Sequence, residues 1–183
     1  MKKALILIDY VYDFVADNGA LTAGAAAQSI CDNIADTVKK FKENGDFIVV
    51  VTDNHDMNDS YHREFKLFPH HCHTEEGRAL YGRVGDEVAQ VPDQQVLFVE
   101  KTRYSAFCGT PLMLKLIERE VTEVALAGVC TDICILHTAM DCYNQGLPFV
   151  VDSECVASFD PSGHFFALEH IEKVLGGTVL FPS

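Results

Sequence analysis

Short apolar runs alternate with amphipathic, helix-like segments along the whole of this sequence. Apolar runs bounded by turn residues are typical of strands buried on both faces of a parallel sheet, and they predict six strands, over residues 4–8, 47–51, 96–99, 124–127, 149–151 and 178–181. Helical spacing with start and stop residues predicts helices over residues 23–43, 111–120, 131–144 and 160–175. This order predicts a three-layer α/β sandwich, in which a six-stranded, mostly parallel sheet lies between helices.

The length and composition limit the class of protein. The chain has 183 residues, and we expect residues 1–183 to form a single domain with a substantial core. The formal net charge of −13 argues against nucleic acid or an anionic membrane as a partner. No apolar stretch approaches the roughly 20 residues needed to cross a bilayer, and the N-terminus lacks the pattern of a secretory signal. Seven cysteines without a disulfide-framework spacing favour a reducing compartment, so we expect a cytoplasmic protein.

Reactive side chains follow four of the predicted strands. Asp9 follows the first strand and Asp53 the second. Lys101 follows the third, and Cys134 comes after the fourth. Because the carboxyl ends of parallel strands lie at one edge of the sheet, where the sites of such folds form, we expect these side chains to meet there. The irregular stretch over residues 53–95 is long for a compact domain, and loops of that length are usually functional.

The segment over residues 128–134 places Cys134 in the first turn of a helix. Unpaired backbone N–H groups and the helix dipole favour an anion there, so we expect its thiol to ionise more easily than a free thiol. Asp9 can accept the thiol proton, and Lys101 can stabilise the thiolate. Burial would raise the pKa of Asp9 and Lys101 would lower it, and the sequence leaves that balance open. Backbone N–H groups near Cys130 and Cys134 can hold an oxyanion. A buried cysteine that only packs under the sheet is the alternative interpretation.

A second polar group lies in the irregular stretch. Asp53 and His55 are two residues apart, so on an extended segment both side chains project to one side. Glu64 and His71 would complete a set of two histidines and two carboxylates, which suits Zn²⁺, Fe²⁺ or Mn²⁺ with open coordination positions. A polar surface loop without a metal is the alternative. Further histidines that could be mistaken for ligands are His62, His70 and His73.

Four segments in one order carry a family resemblance. They are residues 8–14 with Gly19-Ala20-Leu21, residues 101–107 with Gly109-Thr110 and Leu112, residues 128–134, and residues 152–158. The first has the pattern D-x-x-x-D-F followed by G-x-L, and the third has the pattern G-x-x-T-D-x-C. Together they resemble the nicotinamidase branch of the isochorismatase-like cysteine hydrolases, over nearly the whole chain. The resemblance implies a Rossmann-like α/β fold.

The resemblance also implies a role for each candidate residue. The implied catalytic triad is Asp9, Lys101 and Cys134. The implied oxyanion hole uses the N–H groups of Cys130 and Cys134, with a cis peptide between Val129 and Cys130. The implied ligands of one divalent metal ion, zinc in first place with iron or manganese as alternatives, are Asp53, His55, Glu64 and His71. The implied walls of the substrate pocket are Phe14, Phe68 and Tyr104.

The ligand set, with the segment over residues 68–72 resembling aromatic-P-x-H-C, points to the nicotinamidase branch. The implied reaction is hydrolysis of nicotinamide to nicotinate and ammonia through a cysteine thioester, with pyrazinamide as a further substrate, in NAD salvage. The family further implies a homo-oligomer. Two alternatives stay open: an amidase of the same superfamily with a carbamoyl or ureido substrate, and a non-catalytic protein that binds a metal or a small molecule. The chain departs from common family residues at Tyr10-Val11-Tyr12, Tyr61 and Cys130.

Overall fold

The computed structural model describes residues 2–182, which contain one six-stranded sheet. Its strands are β1 (Lys2–Ile8), β2 (Phe47–Asp53), β3 (Val96–Lys101), β4 (Val121–Val129), β5 (Phe149–Ala157) and β6 (Thr178–Leu180). All neighbours are parallel, and the order across the sheet is β3-β2-β1-β4-β5-β6. The predicted α/β fold is confirmed. The strand order reverses between β1 and β4, and parallel α/β sheets bind ligands at such a switch point.

Helices cover both faces of the sheet. Within residues 2–182 they are α1 (Tyr12–Val15), α2 (Gly24–Ser29), α3 (Cys31–Asn44), α4 (Gly82–Val88), α5 (Leu112–Glu118), α6 (Leu136–Asn144) and α7 (Pro161–Lys173). Buried side chains of α2, α3 and α4 pack in one core cluster, and those of α5, α6 and α7 pack in another. In β1, Ile6 belongs to the second cluster and Leu7 to the first, because successive strand side chains point to opposite faces. Because both faces of β1 are buried, its residues 4–8 are apolar at every position.

The helices of the N-terminal half differ from the prediction. The helix predicted over residues 23–43 is two helices, α2 and α3, because the backbone leaves the helical region at Ile30, with φ −91° and ψ 1°. Ile30 is buried, and the apolar spacing continues across the break to Ile34. The predicted irregular stretch also contains α4 and a 3₁₀ turn at Glu64–Lys66. Hydrophobic spacing therefore located these core residues but not the backbone breaks between them.

Side-chain oxygens accept backbone N–H groups at the start of two helices, and at α7 the oxygen belongs to the N-cap residue. α5 begins one residue later than predicted, and the Thr110 hydroxyl accepts the Leu112 N–H at 3.3 Å. α7 begins at Pro161 after Asp160, whose carboxylate accepts the Ser162 N–H at 2.9 Å. None of the helices within residues 2–182 has both the length and the apolar character needed to span a membrane.

Gly128 lies where β1 and β4 approach each other at the carboxyl edge of the sheet. It pairs with Ile8 in the parallel register, and its φ is +124°. A Cβ atom here would lie 1.9 Å from the Ile8 carbonyl oxygen, a backbone atom that cannot turn aside. Glycine therefore allows the segment that carries Cys134 to lie against the strand that leads to Asp9.

We expect Gly128→Ala to lower the free energy of unfolding by about 3 kcal/mol or more, since both the φ angle and the Ile8 contact oppose a side chain. Urea denaturation followed by circular dichroism measures this loss. Gly45→Ala is the matched control, because Gly45 has a φ of +73° but a Cβ there meets no atom of residues 2–182 within 4 Å. Its expected loss is about 1–2 kcal/mol. Equal losses in the two variants would contradict the steric explanation.

Candidate active site

The structure brings the four reactive side chains of the strand ends together. Asp9 follows β1 directly, and Asp53 and Lys101 are the last residues of β2 and β3. Asp53 and Lys101 are register partners on neighbouring parallel strands, so their side chains leave the same face of the sheet. Cys134 lies beyond β4 in a turn over Thr131–Ile135. All of these reactive side chains are buried.

Lys101 contacts the other three side chains. Its Nζ atom lies 2.7 Å from Asp9 Oδ2 and 3.6 Å from Cys134 Sγ. It also donates a hydrogen bond to Asp53 Oδ1, and Asp9 Oδ1 accepts the Asp53 N–H at 2.9 Å. Although Asp9 Oδ2 is ion-paired with Lys101, it has no aligned hydrogen-bond donor among the residues described. That oxygen therefore keeps a position at which it can accept a proton.

Burial dominates the electrostatics of this group. Burial raises the pKa of Asp9 to about 6, with a further contribution from the charge of Asp53 and opposition from Lys101. It also raises the pKa of the Cys134 thiol well above its usual value, and Lys101 offsets only part of that rise. Burial lowers the pKa of Lys101, but the negative groups around the ammonium outweigh burial and leave the pKa raised. The site therefore holds a charged lysine beside a protonated thiol.

The prediction that the Cys134 thiol ionises more easily than a free thiol is wrong for this arrangement. Desolvation of the thiolate outweighs the attraction of Lys101, and the charges of Asp9 and Asp53 raise the thiol pKa further. The sequence left open whether burial or Lys101 decides the pKa of Asp9, and in the structure burial outweighs Lys101 and raises it. A carboxyl group with a pKa near 6 can accept and return a proton close to neutral pH. The arrangement suits transfer of the thiol proton to Asp9 during attack on a substrate, rather than storage of a thiolate.

The backbone around Cys134 is irregular. The peptide bond between Val129 and Cys130 is cis, as the family resemblance implied. The helix predicted from residue 131 begins as a π-helical turn, Thr131–Ile135, and continues as α6. The Cys130 carbonyl accepts the Ile135 N–H at 3.2 Å across this wide turn. Cys130 and Cys134 both border one cavity, and an oxyanion hole formed by their N–H groups stays a prediction.

The predicted metal ligands lie beside the Asp9–Lys101–Cys134 group. The four predicted ligands are buried, and each offers one ligand atom. These four atoms all lie within 4.8 Å of one another, and they belong to Asp53, His55, Glu64 and His71. His55 Nε2 lies 3.4 Å from Asp53 Oδ2 and 3.6 Å from Glu64 Oε2. His71 Nε2 lies 3.6 Å from the same Glu64 oxygen. These separations are longer than ordinary hydrogen bonds and suit atoms that share a cation.

Two observations fit a divalent ion at this set. His55 Nε2 is buried and has no hydrogen-bond partner among the residues described, which is unfavourable unless the nitrogen has a ligand. His71 Nδ1 lies 2.7 Å from the Pro69 carbonyl oxygen, an acceptor, so Nδ1 carries a proton and in the neutral ring Nε2 keeps a free lone pair. Two imidazoles and two carboxylates are a donor set for zinc, iron(II) or manganese(II).

The histidines that could be mistaken for ligands lie outside this set. His62 is buried behind His55, with its Nε2 atom 3.2 Å from His55 Nδ1. His70 is exposed and stacks on Phe65, and His73 is exposed as well. His62 therefore contacts the outer nitrogen of a candidate ligand, a supporting position that the sequence did not predict.

The loop that carries the candidate ligands His55, Glu64 and His71 is hydrogen-bonded to the segment that follows β1. The buried Asp13 carboxylate accepts the Cys72 N–H at 2.6 Å. Cys72 has a φ of +51°, and its carbonyl accepts the His55 N–H at 3.2 Å. Because Cys72 follows His71 in the chain, one backbone unit links both candidate histidine ligands. The family-like pattern included Asp13, but nothing in the sequence indicated its hydrogen-bond partner.

A cavity of about 360 Å³ borders Cys134 and three of the candidate metal ligands, Asp53, Glu64 and His71. The predicted wall residues Phe14, Phe68 and Tyr104 all line it. Wall residues that the sequence did not predict are Leu21, Thr22, Val129, Ile133 and Phe159. Leu21, Val129 and Ile133 lie within family-like segments, and Thr22 and Phe159 each directly follow one, so nearness to these segments is the sequence signal that could have indicated them. This lining suits a small flat ring with polar groups at its ends.

A buried Asp–Lys–Cys group at the switch point of a parallel sheet, next to histidine and carboxylate ligands, is an arrangement suited to hydrolysis of an acyl bond. The chain belongs to the isochorismatase family, because the family model described as Isochorismatase domain matches residues 3–180. The chain is thus an isochorismatase-family hydrolase, and the resemblance carried by the four segments is confirmed.

Similar proteins match this chain over nearly its whole length, in sequence and in fold. The isochorismatase family protein PncA of Bacillus subtilis (strain 168), described as uncharacterized, is 49% identical over 181 residues, which cover 98% of this chain and 99% of that protein. A crystal structure of nicotinamidase/pyrazinamidase PncA from Bacillus subtilis is 50% identical, with a TM-score of 0.95 over 98% of this chain and 100% of that chain. The pyrazinamidase of Pyrococcus horikoshii in complex with zinc is 27% identical, with a TM-score of 0.85 and coverage of 100% of both chains.

Proposed function

We propose that this protein is a nicotinamidase, which hydrolyses nicotinamide to nicotinate and ammonia through a thioester on Cys134. The observation that carries the proposal is one cavity of about 360 Å³ bordered by Cys134 and by three of the four candidate metal ligands, Asp53, Glu64 and His71. Nicotinamide has a carboxamide and a basic ring nitrogen at different positions of one flat ring. It can therefore present the amide to the thiol and the nitrogen to the ligand set. The names of the Bacillus subtilis and Pyrococcus horikoshii structures support the same class of substrate.

The wall residues would hold the ring. Phe14, Phe68 and Tyr104 offer aromatic surface along the cavity, and aromatic rings bind flat heterocycles by stacked or edge contacts. A divalent ion held by Asp53, His55, Glu64 and His71 would supply a Lewis acid for the ring nitrogen. We propose zinc for this site, with iron and manganese as alternatives, and the zinc-bound Pyrococcus horikoshii structure supports that choice.

Formation of the thioester uses the Asp9–Lys101–Cys134 group. Asp9 accepts the thiol proton as the Cys134 sulfur attacks the carboxamide carbon, and Lys101 offsets the negative charge on the reacting groups. The oxyanion of the tetrahedral intermediate accepts hydrogen bonds from the Cys130 and Cys134 N–H groups, which together are expected to contribute about 3–4 kcal/mol. Asp9 then gives its proton to the departing nitrogen, which leaves as ammonia, and the acyl group stays on the sulfur.

Hydrolysis of the thioester repeats these roles with water. Asp9 takes a proton from a water molecule as its oxygen attacks the thioester carbon. The carbon–sulfur bond breaks, the proton on Asp9 returns to the Cys134 sulfur, and the product leaves as nicotinic acid, which gives its remaining proton to solvent to form nicotinate. Each turnover therefore consumes one water and leaves Asp9 and Cys134 as they began.

A substrate panel tests the proposed activity. Purified protein is assayed with nicotinamide, pyrazinamide, benzamide and a set of N-carbamoyl and ureido compounds, with ammonia and acid products both measured. We expect kcat/KM for nicotinamide to exceed that for benzamide by about 100-fold or more, since benzamide lacks only the ring nitrogen. Faster turnover of a carbamoyl or ureido compound would identify the other amidase class. Binding without turnover of any of these amides would favour the non-catalytic alternative.

We expect His55→Ala to weaken zinc binding by about 100-fold or more and to raise KM for nicotinamide, because the variant removes a ligand nitrogen that has no hydrogen-bond partner within residues 2–182. Competition with a coloured chelator measures the zinc affinity, and steady-state kinetics measure KM. The matched control is His73→Ala, which removes an exposed histidine two residues after His71. A His55→Ala variant that binds zinc and nicotinamide like the parent protein would contradict the assigned metal site.

The proposed setting is NAD salvage in the cytoplasm. All seven cysteines are free thiols in the structure, in keeping with a reducing compartment. We also propose that the protein forms a homo-oligomer, which light scattering on the purified protein would test.

A further inference from the structure

One buried hydroxyl joins the two segments that carry Cys134 and Lys101. Thr138 in α6 is 0% exposed, and its Oγ1 atom donates a hydrogen bond to the Cys134 carbonyl oxygen at 2.7 Å. Thr138 Oγ1 in turn accepts the Ala106 N–H at 3.0 Å. Ala106 lies five residues after Lys101, in the segment over residues 101–107. Thr138 is absent from the lining of the cavity, so its contacts are with the backbone rather than with a substrate.

A neighbouring contact on the same helix face strengthens this connection. Asp141 lies one turn beyond Thr138, and its carboxylate accepts the Ser105 hydroxyl at 2.5 Å. Ser105 is buried, and its oxygen also accepts the Phe107 N–H at 3.2 Å. Two adjacent residues of the segment after Lys101 are thus held against α6.

The sheet alone does not set the distance between Cys134 and Lys101. Lys101 ends β3 and Cys134 follows β4, and β2 and β1 lie between these strands. The Lys101 Nζ to Cys134 Sγ distance is 3.6 Å, and the attraction between an ammonium and a developing thiolate falls as they separate. Cys134 also lies in a π-helical turn, where the regular α-helical hydrogen-bond pattern is interrupted. The Thr138 hydroxyl directly links this turn, Thr131–Ile135 (the nucleophile turn), to the segment over residues 101–107 (the lysine segment).

We infer that Thr138 is a positioning residue for the nucleophile. Its hydroxyl holds the Cys134 carbonyl and the Ala106 amide together and thereby fixes the Cys134 thiol relative to the Lys101 ammonium. Without the hydroxyl, the buried Ala106 N–H loses its acceptor and the nucleophile turn loses its link to the lysine segment. The rate readout of this inference depends on the proposed amidase activity, but the thiol readout does not.

Thr138→Val and Thr138→Ser test the inference, since valine keeps the shape of threonine without the hydroxyl and serine keeps the hydroxyl. In Thr138→Val we expect kcat for nicotinamide to fall by about 10-fold or more with KM within about threefold, as suits loss of a buried polar contact and a shifted reactive group. Iodoacetamide labelling of Cys134, resolved by mass spectrometry, should slow by about fivefold or more. Thr138→Ser should keep both rates within about threefold of the parent protein.

Thr110→Val is the matched control. The Thr110 hydroxyl donates to the Ala106 carbonyl at 2.6 Å and accepts the Leu112 N–H at 3.3 Å, so the variant loses the same kinds of hydrogen bond beside the same residue. Within residues 2–182, the Thr110 hydroxyl makes no hydrogen bond to the nucleophile turn. We expect a lower Tm with kcat and Cys134 labelling within about twofold of the parent values.

Three outcomes would overturn the inference: parent-like kcat and labelling in Thr138→Val, an equal loss in Thr110→Val, or no rescue in Thr138→Ser. If Thr138→Val does not fold, Thr138→Ala replaces it in the same comparison. Failure of the parent protein to hydrolyse nicotinamide would overturn the proposed function instead. The labelling comparison would still decide the role of Thr138, because it needs no substrate.

Discussion

Cys134→Ser is expected to reduce nicotinamide hydrolysis by about 10⁴-fold or more, because an alcohol is a far weaker acid and nucleophile than a thiol. The Asp9 carboxyl has a pKa of about 6 and lies in a buried site, which suits exchange of a proton with a thiol rather than with a serine hydroxyl. Initial rates of ammonia release measure the loss. Acid-quenched samples of the parent protein should carry a nicotinoyl adduct on Cys134 by mass spectrometry, and the variant should carry none there.

The change should affect chemistry alone. Oxygen is smaller than sulfur and Cys134 is buried, so a loss of folding would confuse the result; far-UV circular dichroism and zinc content should therefore match the parent protein. Cys108→Ser is the matched control, because Cys108 is an exposed free thiol. Its activity should stay within about twofold of the parent value. If Cys134→Ser retained more than about 1% of the parent rate, Cys134 would not be the nucleophile.

The position of the site could be predicted from the sequence because strand ends in a parallel sheet have a fixed meaning. The apolar run before Asp9 and the run before Asp53 each predicted a buried strand, and parallel strands bring their carboxyl ends to one edge. Asp53 and Lys101 proved to be register partners, so their meeting follows directly from strand pairing. The family-like segments added the cis peptide at Cys130, which no periodicity indicates.

Local backbone changes were less predictable because side-chain spacing does not record them. The break at Ile30 leaves the apolar spacing of α2 and α3 continuous, so the sequence predicts one helix there. In α4, Gly82 and Gly85 lower the intrinsic helix propensity, and burial of Val84 supports the helix instead. Tertiary packing therefore determines both the break between α2 and α3 and the formation of α4.

The electrostatic balance of the site also required the structure. The sign of the shift in the Cys134 pKa depends on how much water its sulfur loses, and burial outweighs the attraction of Lys101. The contact of Thr138 with Ala106 joins positions that are 32 residues apart, and only the packing of α6 reveals it. Thr138 lies four residues after Cys134, a spacing that alone indicates no more than a shared helix face.

Lys101→Met is expected to reduce kcat for nicotinamide by about 10³-fold and to destabilise the protein by about 3–5 kcal/mol. Methionine fills a similar volume but leaves Asp9 and Asp53 as buried carboxylates without their shared cation. The pKa of Asp9 should then rise above its present value of about 6, because Lys101 is the main group that opposes burial there. A protonated Asp9 cannot accept the Cys134 proton, and the developing thiolate also loses its counterion.

Lys42→Met is the matched control for loss of an ion pair. Lys42 Nζ lies 2.9 Å from Glu87 Oε2, but both side chains are partly exposed and far in sequence from the reactive group. We expect a loss of stability of no more than about 1 kcal/mol and a kcat within about twofold of the parent value. Equal changes in the two variants would contradict a special role for Lys101.

The pH dependence of stability separates an electrostatic role for Lys101 from simple packing. A carboxyl group whose folded pKa is raised above its unfolded value stabilises the fold when protonated, and this contribution is lost as pH rises through the folded pKa. For Asp9 that loss ends near pH 6 in the parent protein and should extend to higher pH in Lys101→Met. The difference in unfolding free energy between the two proteins should therefore grow between about pH 6 and pH 8. A difference that stays constant over this range would mean that Lys101 supports the site through its packing and not through its charge.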